Sequence, residues 1–309
     1  VDKKVVTGEG IQKNLEKLIE IAANGINSNA DYFRKRHVEI LLLNKLFSNL
    51  NSSSVLASYG AIGDSKIMIR TAFETLCLIK LFTYIPERIE TYKEESEVLS
   101  FRNHYGYMAR GFSTPHSFAK HFSELSEKCK NKIFGNKRIK TCDKSIVKRY
   151  LDVYKLEFQN PQKNIDDLLL WAEKDSSFPE QEKEALLELR EYSIHLYNVN
   201  SQIAHSSYLA LNIYLVGYND DDKDLGEGIF DCGREIIMIL KSLAVTLSQK
   251  HSVDIHSGLS EAILSWYNYM DRYTMLDVKK EALNSGVIIP VELQVDYSSI
   301  FHPTQISSE

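Results

Sequence analysis

IMIRTAFETLCLIKLF, residues 67–82, is the stretch on which the fold turns. It sits inside a helical pattern that runs from residue 55 to about residue 84 and stops before Pro86, whose ring disfavours helix at the residue preceding it. Arg70 and Glu74 are four apart and therefore neighbours on one helical face. The segment is otherwise so apolar that this face is expected to be substantially buried, and buried charges need partners. The pair reads either as a structural ion pair or as part of a site, where a guanidinium holds a carboxylate ionised to orient or deprotonate a neighbour.

Outward from this segment the helical period recurs. Residues 11–23 and 32–50 read as an opening helix pair joined by a turn at 27–31, and the polar NSSS of 51–54 reads as a turn before the long helix. Downstream, residues 87–110 form a charged helix ending in FRNHYGYMARGF, 101–112, whose His104, Tyr105 and Tyr107 either fill a core, the favoured reading, or line a site. After a break at 111–115 come an amphipathic segment at 116–134 and short helices at 145–158 and 165–174. A long helix follows from Pro179 to Leu215, closed by the acidic turn NDDDKD at 219–224. Helices at 229–249 and 259–276, with a last helical turn at 279–284, complete the pattern.

Only 14 Gly and 6 Pro in 309 residues argue against a many-stranded sandwich or barrel. The expected architecture is therefore all-α: a multi-helix bundle with a short extended C-terminal tail. Residues 1–285 are expected to form a single helical domain, with 111–178 as a peripheral insertion, and the β-prone and then polar residues 286–309 to form the tail.

The net charge of -5, from 37 basic and 42 acidic residues spread along the chain, provides no global basic field, so contact with nucleic acid has to be local. The densest basic run, KCKNKIFGNKRIK at 128–140, reads as a solvated loop or as a polyanion contact; its single aromatic, Phe134, offers no stacking platform. No signal peptide is read at the N-terminus. The most apolar segments are interrupted by Glu39, Lys45, Arg70, Glu74 and Lys80, so no membrane partner is expected. Four widely spaced cysteines fit a reducing, cytoplasmic setting and lack zinc-site spacing. His251 and His256 have no evident third metal ligand, the acidic turn lacks the spacing of a calcium loop, and no phosphate-binding loop occurs. Neither a metal nor a cofactor is expected.

The residue types that carry chemistry gather in REYSIHLYNVNSQIAHSSY, 190–208. On one unbroken helix Tyr197, Ser201 and His205 fall within about 80° of each other, with Arg190 between Tyr197 and Ser201 in projection. His195 lies about 140° from Arg190 and joins that stripe only if the helix is kinked or bulged. Ser201 lacks the strand-to-helix elbow of a hydrolase nucleophile.

Two resemblances attach to these residues. The spacing of Arg190 and His195 resembles the Arg-x4-6-His signature of HEPN (higher eukaryotes and prokaryotes nucleotide-binding) domains, helical bundles many of which are ribonuclease toxins or abortive-infection factors. Glu191 here follows the arginine where Asn, Asp or His is common in that signature. The pair RTAFETLCLIKLF and YNVNSQIAHSSY resembles the two hallmark helices of a bacterial helical family of unknown function, with Arg-x3-Glu in one and Tyr-x3-Ser-x3-His in the other. Arg70, Glu74, Tyr197, Ser201 and His205 occupy those positions. Serines follow His205, where proline often does so in the family.

Two readings of function follow. In the first, the chain is HEPN-like and a metal-independent ribonuclease toxin or phage-defence effector acting on RNA. His205 is its acid or base, Arg70 or Arg190 stabilises phosphorane charge, and Glu74 orients the histidine. In the second, the polar residues form a register-fixing hydrogen-bond network in a non-catalytic scaffold or sensor that binds a protein partner or assembles as a homo-oligomer.

Overall fold

The computed structural model describes residues 7–111, 114–134, 157–158, 160–193, 196–197, 200 and 222–284. Those residues are all-α, with eleven helices and no strand among them. The opening part comprises α1 (Gly8–Asn27), α2 (Ala30–Arg34), α3 (His37–Ser58) and α4 (Ile62–Tyr84). Then come α5 (Arg88–Ala109), α6 (Pro115–Glu124), α7 (Glu127–Phe134), α8 (Pro161–Ala172) and α9 (Glu180–Ser193). Two long helices, α10 (Asp222–His251) and α11 (His256–Asn284), finish the described chain. The expected tail, 286–309, lies outside the described residues.

The bundle is organised around α4, which packs on α3, α10, α8 and α5. An element with neighbours on several sides buries most of its circumference, and on α4 Ile69, Ala72, Phe73, Leu76, Leu81 and Phe82 are fully buried while Arg70 and Glu74 keep some exposure. One apolar core runs from Ile11 on α1 to Met270 on α11. Within residues 111–178, where an insertion was expected, α8 sets Ile165 and Leu168 into this core against α4.

The NSSS segment is not a turn; α3 runs straight through it to Ser58. Serine favours turns when its hydroxyl bonds local backbone in place of the helix, but here the hydroxyls bond within the helix and across it. Ser54 Oγ donates to the Asn51 carbonyl and Ser58 Oγ to that of Val55. Ser53 and Ser65 place their hydroxyls 2.8 Å apart between α3 and α4, and Ser65 also donates to the Ser53 carbonyl. The chain turns instead at Tyr59–Ala61, where Gly60 takes φ 77°, a conformation that costs a residue with a Cβ.

The aromatic cluster at the end of α5 also departs from expectation. Phe101 is buried, but His104 and Tyr105 are half-buried and Tyr107 is exposed, because only the first half of α5 lies over the core. On its second half His104 stacks on His121 of α6 with ring centroids 3.6 Å apart, while α7 meets the first half, where Cys129 Sγ donates to the Glu94 carbonyl.

Helices α10 and α11 meet where Gly233 faces Trp266. A Cβ at residue 233 would lie 2.2 Å from the indole ring, and Trp266 is itself fully buried. Gly233→Ala is expected to lower stability by about 1–3 kcal/mol through this overpacking, read as a lower chemical-denaturation midpoint.

The end of α10 is tied to α2 through His251, whose Nδ1 lies 3.0 Å from the Tyr32 hydroxyl and whose ring packs against Phe33. A helix C-terminus favours a charged imidazole. Burial, and then the Arg36 and Lys250 charges, override that preference and depress the pKa from the ordinary 6.5 to about 4. The folded state therefore binds fewer protons than the unfolded state between these values. Stability present above pH 6.5 is lost as pH falls towards 4, by up to about 3 kcal/mol. In a series of denaturation curves across that window, His251→Phe is expected to flatten the pH dependence.

Candidate functional site

Helix α4 presents Lys66, Arg70 and Glu74 at four-residue spacing, a charged stripe on an otherwise apolar helix. Arg70 Nε donates to Glu74 Oε1 at 3.0 Å, and both side chains keep some access to solvent, 19% and 34%. The guanidinium carbon lies 5.0 Å from the centroid of the Tyr197 ring, a cation–π contact that bridges the chain beyond α9 to α4.

The helix carrying the Tyr197 stripe is not the unbroken one that its spacing suggests. Regular α9 ends at Ser193, and Leu196 and Tyr197 lie in a π-type turn, the wider winding that shifts the faces of a helix and is frequent at functional sites. Leu196 is buried in the core while Tyr197 is half-buried on Arg70. Arg190 stays on α9, and its Nε donates to Asp166 of α8 at 2.9 Å, with more than half of its side chain exposed. The structure therefore brings Arg70, Glu74 and Tyr197 together and commits Arg190 to a surface ion pair. His195, Ser201 and His205 lie outside the described residues.

One turn before Arg70, Lys66 Nζ donates to Glu235 Oε1 of α10 at 2.7 Å, and the second oxygen of that carboxylate accepts from Asn200 Nδ2 at 3.3 Å. Burial works against the Lys66 ammonium. Neighbouring Cys232 and Glu235 outweigh it and hold its pKa above the ordinary lysine value. Asn200 is fully buried, so this clamp fixes the chain three residues after Tyr197 against both α4 and α10. Asn200 and Glu235 were missed in the sequence because neither has a local pattern. Lys66 had one, its spacing of four from Arg70.

Arg70, Glu74 and Tyr197 stand at a cleft of about 480 Å³ that opens between α4 and α5. Lys45 adds a second cation, and Leu78, Tyr92, Leu99 and Phe158 give it apolar and aromatic walls. Glu95, also at the cleft, accepts from the backbone amides of Glu157 and Phe158 and so pins that wall in place. A cavity of this size with a mixed polar and apolar lining and a few convergent charges has the character of a small-ligand or single-residue subsite.

A second buried polar cluster lies deeper. Lys80 Nζ donates to Glu182 Oε1 at 2.5 Å, to the Ser242 carbonyl at 2.9 Å and to Thr246 Oγ1 at 2.7 Å, which uses all three of its protons. Lys80 and Glu182 are 1% and 0% exposed. Burial and the neighbouring Glu182 raise the Tyr84 phenol far above its ordinary range. With no path to solvent, the cluster joins α4, α9 and α10 structurally.

Fold and site together define a class: all-α bundles whose polar site is assembled from side chains on facing helices, with an Arg-x3-Glu helix at its centre. Within it, the chain belongs to the family of unknown function DUF5677, whose model matches residues 36–224, a span holding both the Arg70–Glu74 helix and the Tyr197–His205 stretch. No curated protein and no solved structure matches the chain. Among the described residues no helix is long and apolar enough to cross a membrane.

Proposed function

We propose that the chain is a HEPN-like helical protein that cleaves RNA without a metal, acting as a toxin or phage-defence effector in the cytoplasm. The observation that carries this reading is the placement of Arg70, Glu74 and Tyr197 at an open cleft instead of inside the apolar core. Arg70 is the cation for the phosphate, held over Tyr197 and oriented by Glu74. His205, two turns beyond Tyr197 in the sequence, moves the proton from the attacking 2′-oxygen to the departing 5′-oxygen. The new P–O2′ bond and the broken P–O5′ bond leave a 2′,3′-cyclic phosphate and a 5′-hydroxyl. The test compares growth arrest and RNA cleavage by the wild type with His205→Ala and His195→Ala, each shown to be folded by circular dichroism. Activity that survives both changes sinks histidine catalysis.

A second reading, a non-catalytic scaffold or sensor, is favoured by the closure of the Lys66–Glu235–Asn200 clamp, which uses polar residues to fix helix register. On that reading the purified chain cleaves no RNA, and Arg70→Ala changes only its stability or its assembly.

A further inference from the structure

Helices α9 and α11 both pack on α10, and between them lies a trough with α10 as its floor. Three adjoining cavities of about 770, 140 and 460 Å³ make it up, and Glu188 lines all three. It follows α9 from Gln181 to Tyr192. At 1.5 Å per residue that is about 16 Å, the length of three helical turns. Its two walls differ in kind. The α9 wall presents Glu184, Glu188 and Glu191 at helical spacing, all exposed and none ion-paired among the described residues. The α11 wall presents Ile263 and Tyr267, partly exposed, with exposed His256 at its start, and in the floor Ile237, Met238 and half-buried Val245 stand among charged side chains of α10. The trough's other charges pair with each other, Lys66 with Glu235 and Arg234 with Asp231, which leaves Lys241 against the three free carboxylates.

We infer that this trough is a docking groove for an amphipathic helix of a partner protein, one with an apolar face and a single basic edge. Apolar side chains at helical spacing fill the floor and the α11 wall, while Lys or Arg along one edge meet the glutamates of α9. A second copy of the chain docking symmetrically fits less well, because the acidic walls of the two copies would be brought towards each other. This surface reaches the Lys66–Glu235 clamp but shares no lining residue with the Arg70 cleft, and the inference does not depend on the ribonuclease reading.

The test uses labelled synthetic helices of about fourteen residues, roughly four turns. One has leucines at helical spacing and lysines along one edge. Its twin carries glutamates at those edge positions, and a third peptide scrambles the lysine version. Fluorescence anisotropy is expected to show the lysine-edged helix binding at least about tenfold more tightly than the glutamate-edged one, and more tightly than the scramble. The triple variant Glu184→Lys, Glu188→Lys, Glu191→Lys, which alters only exposed side chains, is expected to invert the preference. Val245→Arg is expected to abolish binding of both helices. Equal binding of the two helices, or equal binding of the scramble, overturns the proposal. So does a dimer in solution that Ile263→Arg converts to monomer, because a second copy then fills the trough.

Discussion

Lys80→Met and Glu182→Leu are each expected to destabilise the fold by about 3–5 kcal/mol. The reason lies in what each substitution leaves behind. Without Lys80, the buried Glu182 carboxylate keeps the Thr246 hydroxyl and no positive charge. Without the Glu182 charge, the ammonium of Lys80 keeps two neutral acceptors and no counter-ion. A buried charge without its partner costs far more than the pair itself contributes. The double variant Lys80→Met with Glu182→Leu is therefore expected to recover much of the loss, since it removes both charges and leaves apolar volume. Urea denaturation of the four proteins forms a double-mutant cycle. Additive losses in that cycle would show that the two groups are not a coupled pair.

On the proposed ribonuclease reading, Arg70→Ala is expected to lower RNA cleavage by roughly 10²–10³-fold, the usual loss when one preorganised group that stabilises transition-state charge is removed. The stability cost should be small by comparison, because the Arg70–Glu74 pair is partly solvated and lies within one helix. Arg70→Lys restores the charge without the planar guanidinium that lies over Tyr197 and can hold two phosphate oxygens, so it should recover only a minor part of the activity. Single-turnover cleavage of a labelled RNA, with thermal melting of each variant, separates the two effects. A loss of cleavage matched by a loss of folding would assign Arg70 to structure.

Much of the framework is legible in the chain because helical period and apolarity are local properties. The run from Ile67 to Phe82 announces a buried helix, and the four-residue spacing of Arg70 and Glu74 places the pair on one face before any neighbour is known. What is not legible depends on partners distant in sequence. Lys80 reads as one of the charges that interrupt an apolar stretch, and nothing near it points to Glu182, 102 positions away. The serines of 51–54 have the composition of a turn, and become helical because Ser65 of the next helix gives one of them a buried partner. The wheel that aligns Arg190 with Tyr197 assumes continuous α-geometry. A π-type turn and an ion pair with Asp166 separate the two. Of the candidate site, the α4 half could be read directly, whereas Glu235 and Asn200 became visible only when α10 was seen beside α4.

Helix α1 is held at both faces by elements far apart in the chain. Its cap residue Thr7 donates its amide to the Tyr269 hydroxyl and accepts a bond back from it at the carbonyl, across 262 positions, and Asn14 accepts from Ser265. On the ribosome α1 is therefore made well before the helices that seal its second side. Helix α3 covers one side of α1 soon after both emerge, but α10 and α11 cover the other. At about 5–20 residues per second the nascent chain carries that uncovered side for at least about ten seconds. The family-matched span 36–224 contains neither α1 nor α11. During synthesis its α3–α4 hairpin is expected to form from local contacts, and the described core to close around it only after α11 has left the exit tunnel.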